Sequence, residues 1–425
     1  MNKPRFAAAL ILGATLTASL SLAPAGAARA ADQPKHVVSR ELGKPLNAAH
    51  SEVEKGKYKE AIATLQKADQ FAKKTPWDQH IINELLLYAY VKTHDYADAV
   101  KPMQATIDDG FTDPAQVKER TRNVAVIYYQ LKDYDKAIQW GERAMKVGGA
   151  DATTYTLVSQ AYYIKGDFKG ALKFTNSLID QEVKNGETPK ETQLEIVLNS
   201  CIKLDDHACT TRALERMVTY YPKPEYWQNL VDSMFQSKQA ENSDVDMLNI
   251  YRLANDVGAI NRPQEYIEMA QLALEQGSPG EAQQVLEKAV GQNAFTDQHM
   301  RERGQRLLAK AKKQAALDQA SLGKLEQDAA IAATGEKDVA LGMAYLSYQH
   351  YDKAVSALQQ GIAKGGVKNL PQAKLLLGIA QLKDGNKDAA VKTFHDVKGS
   401  DPVLQRLANL WSVRAREVGH AVASR

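Results

Sequence analysis

The sequence has few cysteines, few aromatic residues and no long apolar run after residue 23. Only two of its 425 residues are Cys and 7% are aromatic. The cysteine count excludes a small secreted domain held together by many disulfides, and 26 Gly with 14 Pro exclude a collagen or a proline-rich disordered chain. With 44% hydrophobic and 25% charged residues, the composition is that of a globular protein that can bury a sizeable core.

Catalytic and cofactor motifs are also missing from the sequence. It has no G-x-S-x-G nucleophile elbow, no H-E-x-x-H zinc motif and no phosphate-binding loop that ends in Gly-Lys-Ser/Thr. Its nine His are scattered, without an i,i+4 pair that could hold a metal from one helix face. We therefore predict a non-catalytic protein without a cofactor or a metal. An enzyme with an unrecognised site is the alternative.

Residues 1–30 are typical of a cleavable signal peptide. Lys3 and Arg5 precede an uncharged apolar stretch over residues 6–23, and small residues lead to an A-x-A-like site at Ala28–Ala30. This segment predicts export to the bacterial periplasm and no transmembrane segment in the mature chain. The alternative is a retained membrane anchor, since the stretch has about the 18 residues that a bilayer crossing needs.

The predicted cleavage changes the charge balance. The whole chain has 54 basic and 51 acidic residues, a net charge of +3. Residues 1–30 contain three of the basic residues and no acid, so 51 basic and 51 acidic residues remain after cleavage. Nucleic-acid binding proteins are usually strongly basic, so nucleic acid is not a predicted partner.

A short cassette recurs along the chain: a polar turn, an aromatic residue and an Ala three residues later. The copies lie at 56–61, 94–99, 132–137, 166–171 and 350–354, with a weaker copy at 385–390. The Ala position falls at 61, 99, 137, 171, 210 (a Thr), 282, 354 and 390. Two of the intervals are 72 residues, or twice 36, so we predict two degenerate units near residues 247 and 318. The fit is poor over 235–260 and 296–334, where longer helices or irregular packing are the alternative.

Apolar residues with spacings of three and four flank each cassette, which predicts two short helices around every turn. The Ala is small because two helices must pass closely there, and the aromatic residue fills the space beside the next hairpin. One hairpin cannot bury its apolar face alone, so neighbouring hairpins are predicted to stack into a continuous core.

This pattern resembles the tetratricopeptide repeat (TPR), a helix–turn–helix unit of about 34 residues. The best matches are Leu341-Gly342, Tyr345, Tyr351 and Ala354, and Leu377-Gly378, Ala390, Phe394 and Pro402. The resemblance implies an all-α, right-handed superhelical solenoid of nine or ten hairpins. Its predicted divisions are a signal peptide (1–30), an N-terminal TPR array (31–234), a degenerate TPR or helical segment (235–334), a C-terminal TPR pair (335–402) and a capping helix (403–425).

The resemblance also implies a binding groove. In TPR arrays the first helix of each unit lines a concave surface that commonly takes a peptide. The alignment places six residues on that surface: Tyr88, Arg122, Tyr129, Gln130, Gln160 and Tyr163. Aromatic and Arg side chains can anchor a peptide, and amide groups can bind its backbone. The alternative for the tyrosines is core packing. The Lys and Asn residues with which chaperone-type TPRs grip a terminal carboxylate are not found here.

Cys201 and Cys209 flank a polar turn that contains His207. In an oxidising compartment we predict that they form a disulfide, which contributes about 2.5 kcal/mol by closing a short loop. Two free buried thiols are one alternative, and a metal site that includes His207 is another.

The basic segment 301–324 has two interpretations: a solvated outer helix face, which we favour, or a helix on an anionic membrane surface.

The predicted function is a periplasmic scaffold or adaptor that binds a protein or peptide of the cell envelope. Residues 222–227 and 265–274 are similar to exported TPR proteins often encoded beside TonB–ExbB–ExbD systems, which implies a role in envelope transport. The alternative is a glycan-binding or enzyme-support module in which Tyr88, Tyr129 and Tyr163 stack on sugars. The sequence predicts neither the partner's identity nor the oligomeric state.

Overall fold

The computed structural model describes residues 36–236, 243–399 and 401–423, so the predicted signal peptide (1–30) lies outside the described residues. The described residues form helices and no strands. The first ten helices are α1 Arg40–Glu54, α2 Tyr58–Ala68, α3 Pro76–Lys92, α4 Tyr96–Asp108, α5 Pro114–Gln130, α6 Tyr134–Lys146, α7 Ala152–Lys165, α8 Phe168–Lys184, α9 Glu191–Lys203 and α10 His207–Tyr220. The others are α11 Pro224–Phe235, α12 Asp244–Val257, α13 Pro263–Glu275, α14 Pro279–Gly291, α15 Gln298–Ile331, α16 Glu336–Ser347, α17 Tyr351–Lys364, α18 Leu370–Lys383, α19 Lys387–His395 and α20 Pro402–Ala423.

Consecutive helices pair into hairpins at α1–α2, α3–α4, α5–α6, α9–α10, α11–α12, α13–α14, α16–α17 and α18–α19. Ring contacts of Tyr162 and Tyr163 with Phe174 and Phe168 join α7 to α8 in the same way. The predicted all-α solenoid of helix hairpins is therefore confirmed. The turns of eight hairpins share one feature, a residue in the left-handed region with φ between 54° and 89°: Gly56, His94, Lys132, Gly166, Asp205, Gly277, Gln349 and Gly385. In each turn the next N–H donates to the carbonyl five residues back, as Asp133 does to Tyr128 at 2.9 Å.

Polar turn residues cap several of the second helices. The carboxylate of Asp133 accepts from the Lys136 N–H at 3.2 Å, and Asp206 accepts from the Cys209 N–H at 2.9 Å. These bonds satisfy N–H groups that a helix start leaves without an intrahelical acceptor. In these hairpins the second helix therefore begins directly after the capping residue.

The recurring Ala is the fourth residue of the second helix and is fully buried at every Ala position of the series: Ala61, Ala99, Ala137, Ala171, Ala282, Ala354 and Ala390. The degenerate unit expected near 247 is present, since Met247 is the fourth residue of α12. The prediction of a degenerate unit near residue 318 is wrong. That position lies inside α15, one uninterrupted helix of 34 residues. Residues 298–331 contain no Pro and are rich in Ala, Leu, Lys and Gln, all good helix formers, so nothing breaks the helix there.

The basic residues of 301–324 lie on α15. Its small apolar residues Ala311 and Ala315 are buried, and Leu307 and Leu308 pack against the core formed with α13 and α14. Lys312 forms an ion pair with Glu287 of α14 at 3.0 Å. Across the described ranges, no helix is both long enough and apolar enough for a membrane crossing.

The chain divides into two compact units between Phe174 and Thr175, within α8. In the second unit, α20 packs on α19 and also contacts α10, α12 and α18. Its Arg406 pairs with Glu215 of α10 at 2.7 Å, and its Arg414 pairs with Asp256 of α12 at 2.8 Å. The C-terminal helix α20 therefore packs against early helices of the second unit, α10 and α12, as well as against the last hairpin.

Candidate functional site

The six residues predicted to line a groove all lie in the first unit, on the first helices of three successive hairpins, α3, α5 and α7. Each of these helices has a defined start. Pro76 and Pro114 occupy the first turns of α3 and α5, and Asp151 forms a capping box with Thr154 at the start of α7. The caps fix where each helix begins and therefore which residues it presents together.

Arg122 of α5 already has a partner on the neighbouring first helix. Its Nη1 donates to Oδ2 of Asp151, the N-cap of α7, at 3.1 Å. Burial raises the pKa of Asp151, but hydrogen bonds from Thr154 and the charge of Arg122 outweigh it and hold that pKa below its usual value. Both side chains remain about a third or more exposed, so a ligand can reach the pair.

Tyr129 and Gln160 form a second bridge between α5 and α7. The Tyr129 hydroxyl donates to Oε1 of Gln160 at 3.1 Å, and its ring contacts Tyr134 edge-on with centroids 5.6 Å apart. Burial and the nearby Tyr134 raise the pKa of Tyr129, so its hydroxyl is protonated and can donate at neutral pH. Gln130, the next residue, is exposed. The structure therefore brings Tyr129 and Gln160 together.

Tyr88 and Tyr163 are half-buried against rings of second helices. Tyr88 contacts Tyr58 edge-on at 6.2 Å, and Lys92 lies over the Tyr88 ring at 5.3 Å. Tyr163 contacts Phe168 at 5.4 Å. In the described residues no hydrogen bond, ion pair or ring contact joins either tyrosine to the other four predicted groove residues. Part of each tyrosine surface is thus used in packing, the alternative that the sequence leaves open.

Sequence reasoning missed a polar cluster between α3 and α5. The Arg120 guanidinium binds both carboxylate oxygens of Glu84, at 2.5 and 2.9 Å, and donates to the Thr106 hydroxyl at 2.7 Å. His80 lies beside it, with Nδ1 2.8 Å from Asp109. The available signal was the spacing, because Glu84 and Arg120 are 36 residues apart, one repeat period.

The two cysteines lie where the sequence places them, Cys201 in the last turn of α9 and Cys209 in the first turn of α10. They form a disulfide in the structure, with Cα atoms 5.4 Å apart. His207 is exposed beside it, at the start of α10. Within the described residues, His, Cys, Asp and Glu side chains form no cluster of three that could hold a metal ion.

A family model described as tetratricopeptide repeat matches residues 85–153 and 339–402. No curated protein matches the sequence. Among solved structures, a tetratricopeptide repeat protein from Parabacteroides merdae ATCC 43184 is 11% identical over 64% of this chain and 100% of its own, with a TM-score of 0.28. The TPR2AB domain of yeast Sti1, solved as a complex with pHSP90, is 15% identical over 73% of this chain and 99% of its own, with a TM-score of 0.25. The pentatricopeptide repeat protein PPR10 from maize is 16% identical over 89% of this chain and 57% of its own, with a TM-score of 0.28. The tetratricopeptide repeat model thus matches two stretches of this chain, and the described residues around them form an all-α solenoid of stacked helix hairpins.

Proposed function

We propose that this protein is a non-catalytic scaffold that binds a protein or peptide partner along the first helices of its first unit. Tetratricopeptide repeats build extended binding surfaces of this kind. The observation that carries the proposal is the pair of polar bridges between α5 and α7, Arg122–Asp151 and Tyr129–Gln160. They set donors and acceptors side by side on two adjacent helices at a partly exposed surface.

An extended peptide fits the chemistry of this surface. Gln130 is exposed, and the amide nitrogen of Gln160 has no hydrogen-bond partner in the part of the chain that the structure describes. Amide groups with free donors can pair with a peptide backbone, while Arg122 can bind an acidic side chain of the partner.

The tyrosine packing favours a peptide over a glycan. Sugar stacking requires an open ring face, whereas Tyr88, Tyr129 and Tyr163 each contact another aromatic ring and are only partly exposed. The polar atoms of Tyr129 and Gln160 remain at the surface of α5 and α7, where a peptide can use them.

Two pairs of substitutions test the proposal. R122A/Y129F removes one ion pair and one hydroxyl bridge between first helices. R143A/Y128F is a matched control, since Arg143 pairs with Asp108, and the Tyr128 hydroxyl accepts from Gln104, a residue of the second helix α4. Affinity capture from envelope extracts, read by mass spectrometry, should recover a partner with the wild type and the control and lose it with R122A/Y129F. Equal recovery by all three proteins would show that the partner binds elsewhere.

The proposal extends to location and context. The signal-like residues 1–30 support export to the periplasm, where Edman sequencing of the mature protein should begin at Ala31. The resemblance of residues 222–227 and 265–274 to proteins encoded beside TonB–ExbB–ExbD systems supports a role in envelope transport. Detection of the full-length chain only in the cytoplasm would contradict both statements.

A further inference from the structure

The second unit contains a cavity of about 410 Å³, remote in sequence from the proposed groove. Its walls come mainly from α12, α14, α16, α18 and α20. Cavities of about 300–1,000 Å³ are the usual size for small-molecule sites in proteins. The cavity is therefore large enough for a small organic ligand.

Most of the charges that line the cavity are already paired. The Arg252 guanidinium binds Glu281 through two nitrogens, with Nε–Oε1 at 2.9 Å and Nη2–Oε2 at 2.7 Å. Asp256 accepts from both Lys383 and Arg414. Each of the two acids thus has a cationic partner in the protein itself.

Lys288 is the exception. Its Nζ donates to the amide oxygen of Asn255 at 2.7 Å, and no acid lies within ion-pair distance of it in the described ranges. Burial lowers the pKa of Lys288, the charge of Asp256 opposes this shift in part, and the neighbouring Lys383 adds a smaller lowering effect. A partly buried ammonium without an acid destabilises a fold, so this wall of the cavity carries an uncompensated positive charge.

The rest of the cavity wall combines apolar side chains with polar ones such as Gln284 and Gln349. Met269, Val285, Leu376 and Ile379 contribute aliphatic surface. Trp411 of α20 also lines the cavity. It is 1% exposed, and its indole Nε1 has no hydrogen-bond partner among the described residues. The cavity thus offers the Lys288 ammonium together with apolar side chains that a hydrocarbon body can contact.

From this arrangement we propose that the cavity binds a small organic anion, with its carboxylate or phosphate paired to Lys288 and its apolar body against α18 and α20. The anion supplies the charge that the protein leaves uncompensated at Lys288. The site is separate from the proposed groove, because none of its lining residues lies in the first unit.

Isothermal titration calorimetry on the full chain tests the proposal with three probes below their micelle concentrations: decanoate, decyl phosphate and the neutral decan-1-ol. The wild type should bind at least one of the anions at least tenfold more tightly than decan-1-ol, and the ratio of the two anions identifies the preferred head group. K288M should lose at least tenfold in anion affinity and bind decan-1-ol as before. K312M is the matched control, because Lys312 is exposed, pairs with Glu287 and does not line the cavity.

Thermal unfolding separates binding from a structural role. K288M should have an equal or higher Tm than the wild type, because it removes an uncompensated buried charge. Three results would each overturn the proposal: no binding of either anion to the wild type, equal anion affinity in K288M, or decan-1-ol binding as tight as the anions. A lower Tm in K288M together with weaker binding would assign Lys288 to the fold instead.

Discussion

Small residues determine how closely the helices of a hairpin approach. A Cβ added to Gly378 of α18 would lie 2.4 Å from the Phe394 ring of α19, and Phe394 is itself 1% exposed. We predict that G378A lowers the free energy of unfolding by about 1–3 kcal/mol, because a well-packed core resists extra volume. Urea denaturation measures the change.

Gly323 provides the control for this substitution. It lies on the exposed side of α15, and a Cβ there would meet no atom within 4 Å. G323A should therefore stabilise the chain by about 0.5–1 kcal/mol through helix propensity alone. If G378A proved as stable as G323A, the inference that the two helices pack closely at Gly378 would be wrong.

Asp78 is a buried carboxylate that ties the start of α1 to the start of α3. Its oxygens accept from the backbone N–H groups of Ser39 and Thr75, both at 2.9 Å. Burial raises the pKa of Asp78, but these hydrogen bonds outweigh burial and hold the pKa below its usual value. The ionised form therefore stabilises the fold above the unfolded-state pKa of about 4, and this contribution is lost as pH falls through the lower folded-state pKa.

D78N should cost about 1–3 kcal/mol at pH 7, because an amide cannot accept both hydrogen bonds. Between about pH 5 and pH 2 the stability difference between wild type and D78N should shrink. Urea unfolding at several pH values measures this difference. A gap that stays constant over the acid range would contradict the assignment.

The fully buried Ala positions could be read from the sequence, because their spacing alone marks them. The Glu84–Arg120 pair could not, although it repeats the same period. The ion-pair partner of a charged helix residue such as Arg120 can be assigned only when the packing of neighbouring first helices is known.

Eight of the described hairpins have a turn residue in the left-handed region, and four of these eight residues are not Gly: His94, Lys132, Asp205 and Gln349. A side chain in this region costs about 1 kcal/mol. K132G should therefore raise the free energy of unfolding by about 0.5–1 kcal/mol, since Lys132 is exposed with φ of 62°. Q139G, in the middle of α6, should instead cost about 1 kcal/mol. Chemical denaturation of K132G and Q139G measures whether the two changes in unfolding free energy have opposite signs. A K132G variant less stable than the wild type would contradict the cost assigned to the left-handed Lys132.

The α9–α10 hairpin has a covalent link that the other described hairpins do not have. Replacing both cysteines, as C201S/C209S, should lower the free energy of unfolding by about 2.5 kcal/mol, since it restores loop entropy to the unfolded chain. Reducing agent should shift the wild type toward the variant and leave the variant unchanged. Wild-type protein that reacts fully with iodoacetamide without prior reduction would instead support free thiols.

The helix pattern was predictable where the hairpins follow the repeat period, and the prediction failed at α15. The series of Ala positions locates the second helices correctly, including α12, whose sequence lacks the cassette. It fails at α15 because a spacing of 72 residues is equally consistent with two hairpins or with one hairpin and a 34-residue helix. The absence of Pro and of the cassette from 298–331 was the deciding signal, and periodicity alone does not take it into account.

At the scale of the second unit, the contacts of α20 could not be inferred from the sequence. The leucines of this segment predict an amphipathic helix, and Leu404, Leu407 and Leu410 are indeed buried. Its ion pairs with α10 and α12 join residues more than 150 positions apart, beyond the reach of any local pattern. Through Trp411, α20 also contributes to the wall of the cavity beside Lys288.

The central claim for the whole molecule is that its partner binds the first helices of the first unit. Site-specific photo-crosslinking tests this claim most directly, with p-benzoylphenylalanine replacing either Gln130 of α5 or Gln139 of α6. Both residues are exposed, but Gln130 belongs to a first helix and Gln139 to a second. The proposal predicts a crosslinked partner from position 130 and none from position 139. A crosslink from position 139 alone would contradict it.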